Sequence, residues 1–377
     1  MRPTHLKKVN MSVQAWIVLD HLDRMTDSTG LIQHAIFSVP RRESGYTTDD
    51  NARALRLCVR LWQEEPSPRM LARVTTYLSF MEHARCPVRG FHNFMGYQRD
   101  WLDATGTGDC QGQAVRALAE VLGSNLPRGH RALAHELIES ALPVLADLRS
   151  LRAQAYVILA WGHLRSRHVR DIEPLELVAW SAARRLVECY QRSVRPDWRW
   201  FESRLTYANA VLPQALFVAG QRWPKEGFLE VAEASFDFLA RATTSENIFW
   251  PIGNCDWYPH GEEKALYDQQ PIEAITMADA ALTAFGLAQE PKYLDAFCRA
   301  NDWFNGRNSL AEPLADVESG ACCDGLQPLG MNHNQGAEST LAYLWMVVHT
   351  REIQAVMASS TQSAVADAQS QASCLLQ

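Results

Sequence analysis

Apolar residues along much of the chain recur three and four positions apart, the spacing that lines one face of an α-helix. In Lys225–Arg241 the residues Phe228, Val231, Ala232, Phe236 and Leu239 fall on one such stripe, with charges between them. Comparable stripes run through Val13–Met25, Arg69–Ala84, His130–Leu148, Pro174–Gln191 and Lys292–Phe304, and predict six helices with one wet face. Six other segments read differently. In each, a polar or Gly-bearing loop ends in an Asp, Asn or Gln cluster and runs straight into a more uniformly apolar, small-residue-rich stretch. They are TTDDNARALRLCVRLW from Thr47, GDCQGQAVRALAEVL from Gly108, LRAQAYVILAWGHL from Leu151, LTYANAVLPQALFVAG from Leu205, YDQQPIEAITMADAALTAF from Tyr267 and NHNQGAESTLAYLWMVV from Asn332. Their composition predicts helices buried on several sides. With Asp50, Gln111, Gln154, Asn209, Gln269 and Gln335 as anchors, the successive steps are 61, 43, 55, 60 and 66 residues, each long enough for two helices and their loops.

Twelve helices that alternate between outer and inner character, with no alternating Val/Ile/Thr-rich strands between them, predict an all-α fold: an (α/α)6 toroid, six helical hairpins closed in a ring, spanning residues 1–355 as one domain. An α-solenoid would give a similar helix count, but its repeats keep a tight period and short loops. Here the loops Pro87–Gly108, Arg195–Tyr207, Asn247–Asp268 and Asn305–Asn332 are long, and all precede the inner member of a pair. That asymmetry places the chemistry on one face of the ring. The Ser/Gln/Ala-rich segment 356–377 is expected to be a disordered, frayed tail.

Composition narrows the function classes. At 377 residues and 47% hydrophobic content the chain can bury a large core. A net charge of −7 with no Lys/Arg stripe argues against nucleic-acid or anionic-membrane partners. Nine scattered cysteines without CxxC spacing fit reduced thiols and a cytoplasmic location. The N-terminal region carries Asp20, Asp23 and Arg24 rather than the apolar run of a signal peptide, and no segment reads as a membrane span of roughly 18 apolar residues. GxGxxG, GxxxxGKS, GxSxG and HExxH are all absent, so no cofactor and no metal are expected.

In a toroid the N-terminal ends of the inner helices converge on a central cleft. Glycoside cleavage needs two carboxyl groups there, one protonated and one ionised. Asp49 and Asp50 form the sharpest candidate, because adjacent carboxylates shift each other's pKa. Glu202, Asp268 and Glu338 are the candidate partners. The competing reading of an acid at a helix start is an N-cap or a favourable dipole position, and it covers Asp109 and Asp268 as well. The first turns also carry Asn51, Gln111, Asn209, Gln269, Gln270, Asn334 and Gln335, amides that add little to a helix start but suit sugar hydroxyls. Arg53, His92, Asp109, Tyr207, His260, Glu273 and Asp324 complete the expected polar lining. Trp200 and Trp257 stand for the loop aromatics on which apolar sugar faces stack, although core packing claims about half of such rings.

The runs HLDRMTDSTGLIQHA with GYTTDDNARAL, GDCQGQAVRAL, WRWFESRLTYANAVLPQAL, PIGNCDWYPHGEEKALYDQQPIEA and CDGLQPLGMNHNQGAESTLAYL resemble a family of six-hairpin glycosidase-like proteins, often found beside glycosyltransferases. The likeness runs from about Val13 to Val348. It implies an (α/α)6 toroid, an oligosaccharide or glycoconjugate substrate and a glycosyltransferase as partner. The paired aspartates resemble those of some α-mannan hydrolases of this fold, which implies an acid or base role for Asp49 or Asp50. The first expectation is therefore a glycoside hydrolase. The alternatives are a sugar epimerase or isomerase that moves its proton through His92, His260 or His333, and a non-catalytic glycan-binding partner of a glycosyltransferase.

Overall fold

The computed structural model describes residues 17–86 and 89–374. Its helices, in chain order, are α1 (Asp20–Met25), α2 (Thr48–Glu64), α3 (Pro68–His83), α4 (Gly108–Leu122), α5 (Arg128–Ala146), α6 (Leu151–Ser166), α7 (Glu173–Ser193), α8 (Val211–Arg222), α9 (Phe228–Ala242), α10 (Pro271–Ala288), α11 (Pro291–Phe304) and α12 (Ala337–Cys374). The even-numbered helices pack side by side in sequence, and α12 closes the ring against α2. Each has an outer partner: α3, α5, α7, α9 and α11 follow their inner helices, and α1 packs on α12. This is the (α/α)6 toroid that the sequence predicts. Helix α1 is shorter than the predicted Val13–Met25: positions 13–16 lie outside the described residues, and Ile17–Leu19 is not helical.

The inner and outer helices differ in burial as their patterns dictate. In α6 every residue from Arg152 to Trp161 is buried, whereas α9 buries only the stripe Phe228, Ala232, Ser235, Phe236 and Leu239. Small residues let inner helices approach closely. A side chain at Gly112 on α4 would meet the Ala153 carbonyl of α6 at 2.9 Å, so this contact needs glycine. Capping fixes where the inner helices begin. Thr47, Thr107 and Ser150 accept the backbone N–H groups of Asp50, Cys110 and Ala153, and each such cap contributes about 1 kcal/mol. Helix α10 is long and apolar enough to cross a membrane by length and composition, against the sequence expectation, yet it is an inner-ring helix packed on α8, α11 and α12.

The long loops do contain strands, a point where the structure departs from the sequence reading. Seven antiparallel ladders of two or three residues per strand occur among the described residues. They are too short to show period-two alternation; five are hairpins within one loop and two lace neighbouring loops together. Tyr46–Thr47 pairs with Phe94–Met95, and Arg204–Leu205 with Tyr258–Pro259. Gln269 bridges Leu326, and the Gln335 and Ala337 N–H groups donate to Phe37 and Gln33, closing the last loop onto the first. Helix α12 runs on to Cys374.

Candidate active site

Helix α2 begins in the cleft. Its second and third residues are Asp49 and Asp50, and one turn later Arg53 reaches back to both, at 3.1 Å each. The same guanidinium holds Glu338, from the first turn of α12, at 2.7 Å. The two aspartates are not equivalent. Asp50 Oδ2 accepts the Thr47 hydroxyl at 2.7 Å while Thr47 caps the Asp50 N–H, so this carboxylate is folded into the helix cap. Asp49 gives Oδ2 to Arg53, and its buried Oδ1 has no partner. Burial pushes the Asp49 carboxyl up to about 7; Arg53 opposes this, and Asp50, Glu338 and Asp109 add to it. Asp50 rises to about 6, again through burial against the pull of Arg53. Burial works against the Arg53 cation, but Asp49, Glu338 and Asp50 outweigh it and raise its pKa.

A second polar assembly adjoins the first. Asp109, at the start of α4, accepts from the Ser150 and Tyr207 hydroxyls at 2.6 Å each. Tyr207 lies 4.6 Å beneath the guanidinium of Arg152, the second residue of α6. Arg152 gathers the loop before α8: it donates to Glu202 at 3.0 Å, to Thr206 Oγ1 at 2.6 Å and to Asn209 Oδ1 at 3.3 Å, as well as to the Tyr207 carbonyl. Glu273, in the first turn of α10, accepts from the Ala208 N–H and, at 3.1 Å, from Asn209 Nδ2. Burial pushes Glu273 up to about 7 against those hydrogen bonds. Ala208 is held at φ 44°, a left-handed conformation unusual for alanine, which these contacts fix. Trp257, at φ 64°, has its ring 6.2 Å from that of Tyr207.

Thus Asp49, Asp50, Arg53 and Glu338 form one cluster and Asp109, Tyr207, Glu202, Asn209, Glu273 and Trp257 a second built around Arg152, with the charge of Asp109 felt by Asp49. Several expected site residues do not join them. Asn51, Gln111 and Gln269 are at most 2% exposed. Asn51 takes the Leu31 N–H and gives to the Thr47 carbonyl, Gln111 pairs with both backbone groups of Phe91, and Gln269 joins Ser309, Trp303 and the Leu266 carbonyl. These amides staple the loops to the ring, a use that sequence reasoning did not weigh. Trp200 is fully buried against Phe201, and Trp198 is buried too, its Nε1 on the Glu202 carbonyl. Among the loop aromatics, Phe94, Tyr97 and Tyr207 stay exposed instead.

The histidines scatter. His92 stacks on Trp101 and bonds the Asp103 carbonyl, His260 pairs with exposed Asp197, and His333 is exposed. Asp324 caps the Gly336 N–H and Asn334 the Phe37 N–H, where the last loop meets the first; Gln335 joins them through its backbone. Asp268, at φ 28°, and Gln270 show no side-chain hydrogen bond. Among the described residues no group of three His, Cys, Asp or Glu side chains is arranged to hold a metal. Sequence reasoning missed Arg152, Arg56 and Arg116. The available signal was an arginine inside an otherwise apolar inner helix, since such a cation survives burial only with partners.

No protein-family model matches the chain, nor does any curated protein. Solved structures do match in fold. A cellobiose 2-epimerase from Spirochaeta thermophila is 15% identical, with 90% of this chain and 94% of that one covered and a TM-score of 0.68. A sugar epimerase from a ruminal bacterium is 12% identical, with 92% and 98% covered and a TM-score of 0.68. An inactive variant of an α-1,6-mannanase from Salegentibacter, in which two consecutive aspartates are replaced by alanine, was solved with α-1,6-mannotetrose. It is 11% identical, with 88% and 95% covered and a TM-score of 0.57. The chain therefore has the six-hairpin toroid fold that these carbohydrate-active enzymes share.

Proposed function

We propose that the chain is a carbohydrate-active enzyme whose cleft performs acid–base catalysis on a sugar, with Asp49 as the group that gives and takes the proton. The observation that carries this reading is the Asp49 carboxyl: one oxygen is fixed by Arg53, the other is buried without a partner, and its pKa of about 7 is matched to proton transfer near neutrality. Glycoside hydrolysis is the reaction that the site favours. Protonated Asp49 donates to the leaving oxygen, and Glu338, held by Arg53 through one oxygen and half-exposed, serves as the ionised partner. The adjacent Asp49 and Asp50 parallel the consecutive aspartates replaced in the inactive mannanase variant. Tyr207 supplies an exposed ring for a sugar face.

A second reading, a sugar epimerase or isomerase, has its own support. The backbone follows the cellobiose 2-epimerase, at a TM-score of 0.68, more closely than the mannanase variant, at 0.57. In that reaction Asp49 would remove the proton beside a carbonyl and return it. The His92 ring is engaged by Trp101 and the Asp103 carbonyl and the His260 ring by Asp197, so in this reading too a carboxylate rather than an imidazole moves the proton. Incubating the protein with a panel of oligosaccharides in D2O separates the two. Hydrolysis creates reducing ends without deuterium at C2; epimerisation places deuterium at C2 without new ends. Asp49→Asn removes either activity, and full activity in that variant overturns the assignment.

A further inference from the structure

Enclosed by the inner helices α2, α4, α6, α10 and α12, and reaching Arg53 and Glu338, lies a cavity of about 30 Å3. That is room for two or three waters, roughly, or for one compact anion. Its polar lining is rich in donors that nothing uses. Arg116, from α4, keeps only 11% of its side chain exposed, and its closest carboxylate oxygen is Asp279 Oδ2 at 3.6 Å, beyond hydrogen-bond reach. The Trp345 Nε1 and the Arg53 Nε are buried without partners. Gln113, 3% exposed, has an unpartnered amide oxygen, and an amide can turn to offer either end.

The other charges around the cavity are already matched. Arg56 binds Glu120 at 2.7 Å, Glu338 is held by Arg53 at 2.7 Å, and Asp279 accepts from His349 at 2.6 Å. Arg116 is left with a long ion pair to Asp279 and the Tyr156 ring 5.9 Å from its guanidinium, and with no acceptor within hydrogen-bond reach, a costly arrangement for five donors in a low-dielectric interior. Burial and the neighbouring Arg56 lower its pKa to about 10, so it remains a cation at neutral pH.

We propose that this cavity is an anion site, in which Arg116, Gln113 and Trp345 bind a compact anionic group. Two sources carry the same chemistry: a free ion such as chloride, or the carboxylate of an acidic sugar whose ring sits in the cleft. The second source rests on the carbohydrate reading given above; the first does not.

The test is the melting temperature of the full chain at constant ionic strength, with a bulky sulfonate as filler. Chloride, glucuronate and glucose are titrated separately. An anion at about ten times its Kd raises the wild-type Tm by about 2 °C, and Arg116→Gln removes that response. A response to chloride identifies a free-ion site, and a response to glucuronate alone identifies a substituent of the sugar. If Arg116→Gln does not fold, Gln113→Leu, which keeps the charge, has to reduce the shift. Asp49→Asn keeps the anion response whatever its activity, so failure of the catalytic reading and failure of the anion site are read independently. The proposal is overturned if neither anion shifts the wild type beyond glucose and filler, or if the variants respond as the wild type does.

Discussion

Asp49 and Glu273 are a matched pair that behave differently. Each stands in the first turn of an inner helix, and burial pushes each up to about 7. Glu273 spends both oxygens, on the Ala208 N–H and on Asn209, and so fastens the loop that presents Tyr207. Asp49 spends one oxygen on Arg53 and leaves the other free. A near-neutral carboxyl is therefore not in itself a catalytic one. The pKa reports burial, which the two share; the unspent lone pair marks the group that can exchange a proton with a substrate.

The largest effect that sharpens this contrast is expected on rate. Asp49→Asn should lower kcat by about 10^3, within the usual range for a lost acid–base group, with the fold intact by circular dichroism. Glu273→Gln should act on stability instead. An amide nitrogen would face either the Ala208 N–H or the Asn209 amide, and leaving such buried donors unsatisfied costs about 1–3 kcal/mol, read as a lower denaturation midpoint.

The pH dependence follows from the sign of the shift. With a folded pKa raised to about 7, Asp49 stays protonated in the folded chain while the unfolded chain already ionises, so stability falls as pH rises from about 4 to about 7 and then levels. Asp49→Asn removes that penalty and should stabilise the protein by up to about 4 kcal/mol at pH 8, with little gain at pH 4. Acting as an acid, Asp49 also makes wild-type kcat/KM fall above pH about 7.

Among the staples, Gln111→Ala should cost about 1–2 kcal/mol by leaving the buried Phe91 N–H unpaired and its carbonyl with the Gly106 N–H alone, with KM unchanged. His260→Ala should change kcat less than about twofold, because its imidazole is taken by an exposed pairing with Asp197.

The ring was legible in the sequence because its signal is long-range and redundant. Six inner segments with small apolar residues and six amphipathic partners fix the hairpin order without any single position being decisive. Asp49, Asp50, Arg53, Glu338, Asp109 and Glu273 were legible as polar residues where inner helices begin. Their roles were not, since the division of labour between Asp49 and Asp50 turns on which oxygen meets Thr47, a geometric fact. Asn51, Gln111 and Gln269 misled for a physical reason. Long loops entering a buried ring leave backbone groups in need of partners, and an amide offers a donor and an acceptor together. The loop position of Trp200 suggests a cleft-facing ring, but its indole is taken by the core.

The most direct test of the central claim is kcat for Asp49→Asn and Glu273→Gln on the same substrate at pH 6.5, about 10 °C below the lower of the two melting temperatures. Loss of about 10^3 in the first variant and less than about tenfold in the second is the predicted result. Equal losses in both, or the larger loss in Glu273→Gln, would contradict the assignment of the proton transfer to the carboxyl with the unspent oxygen.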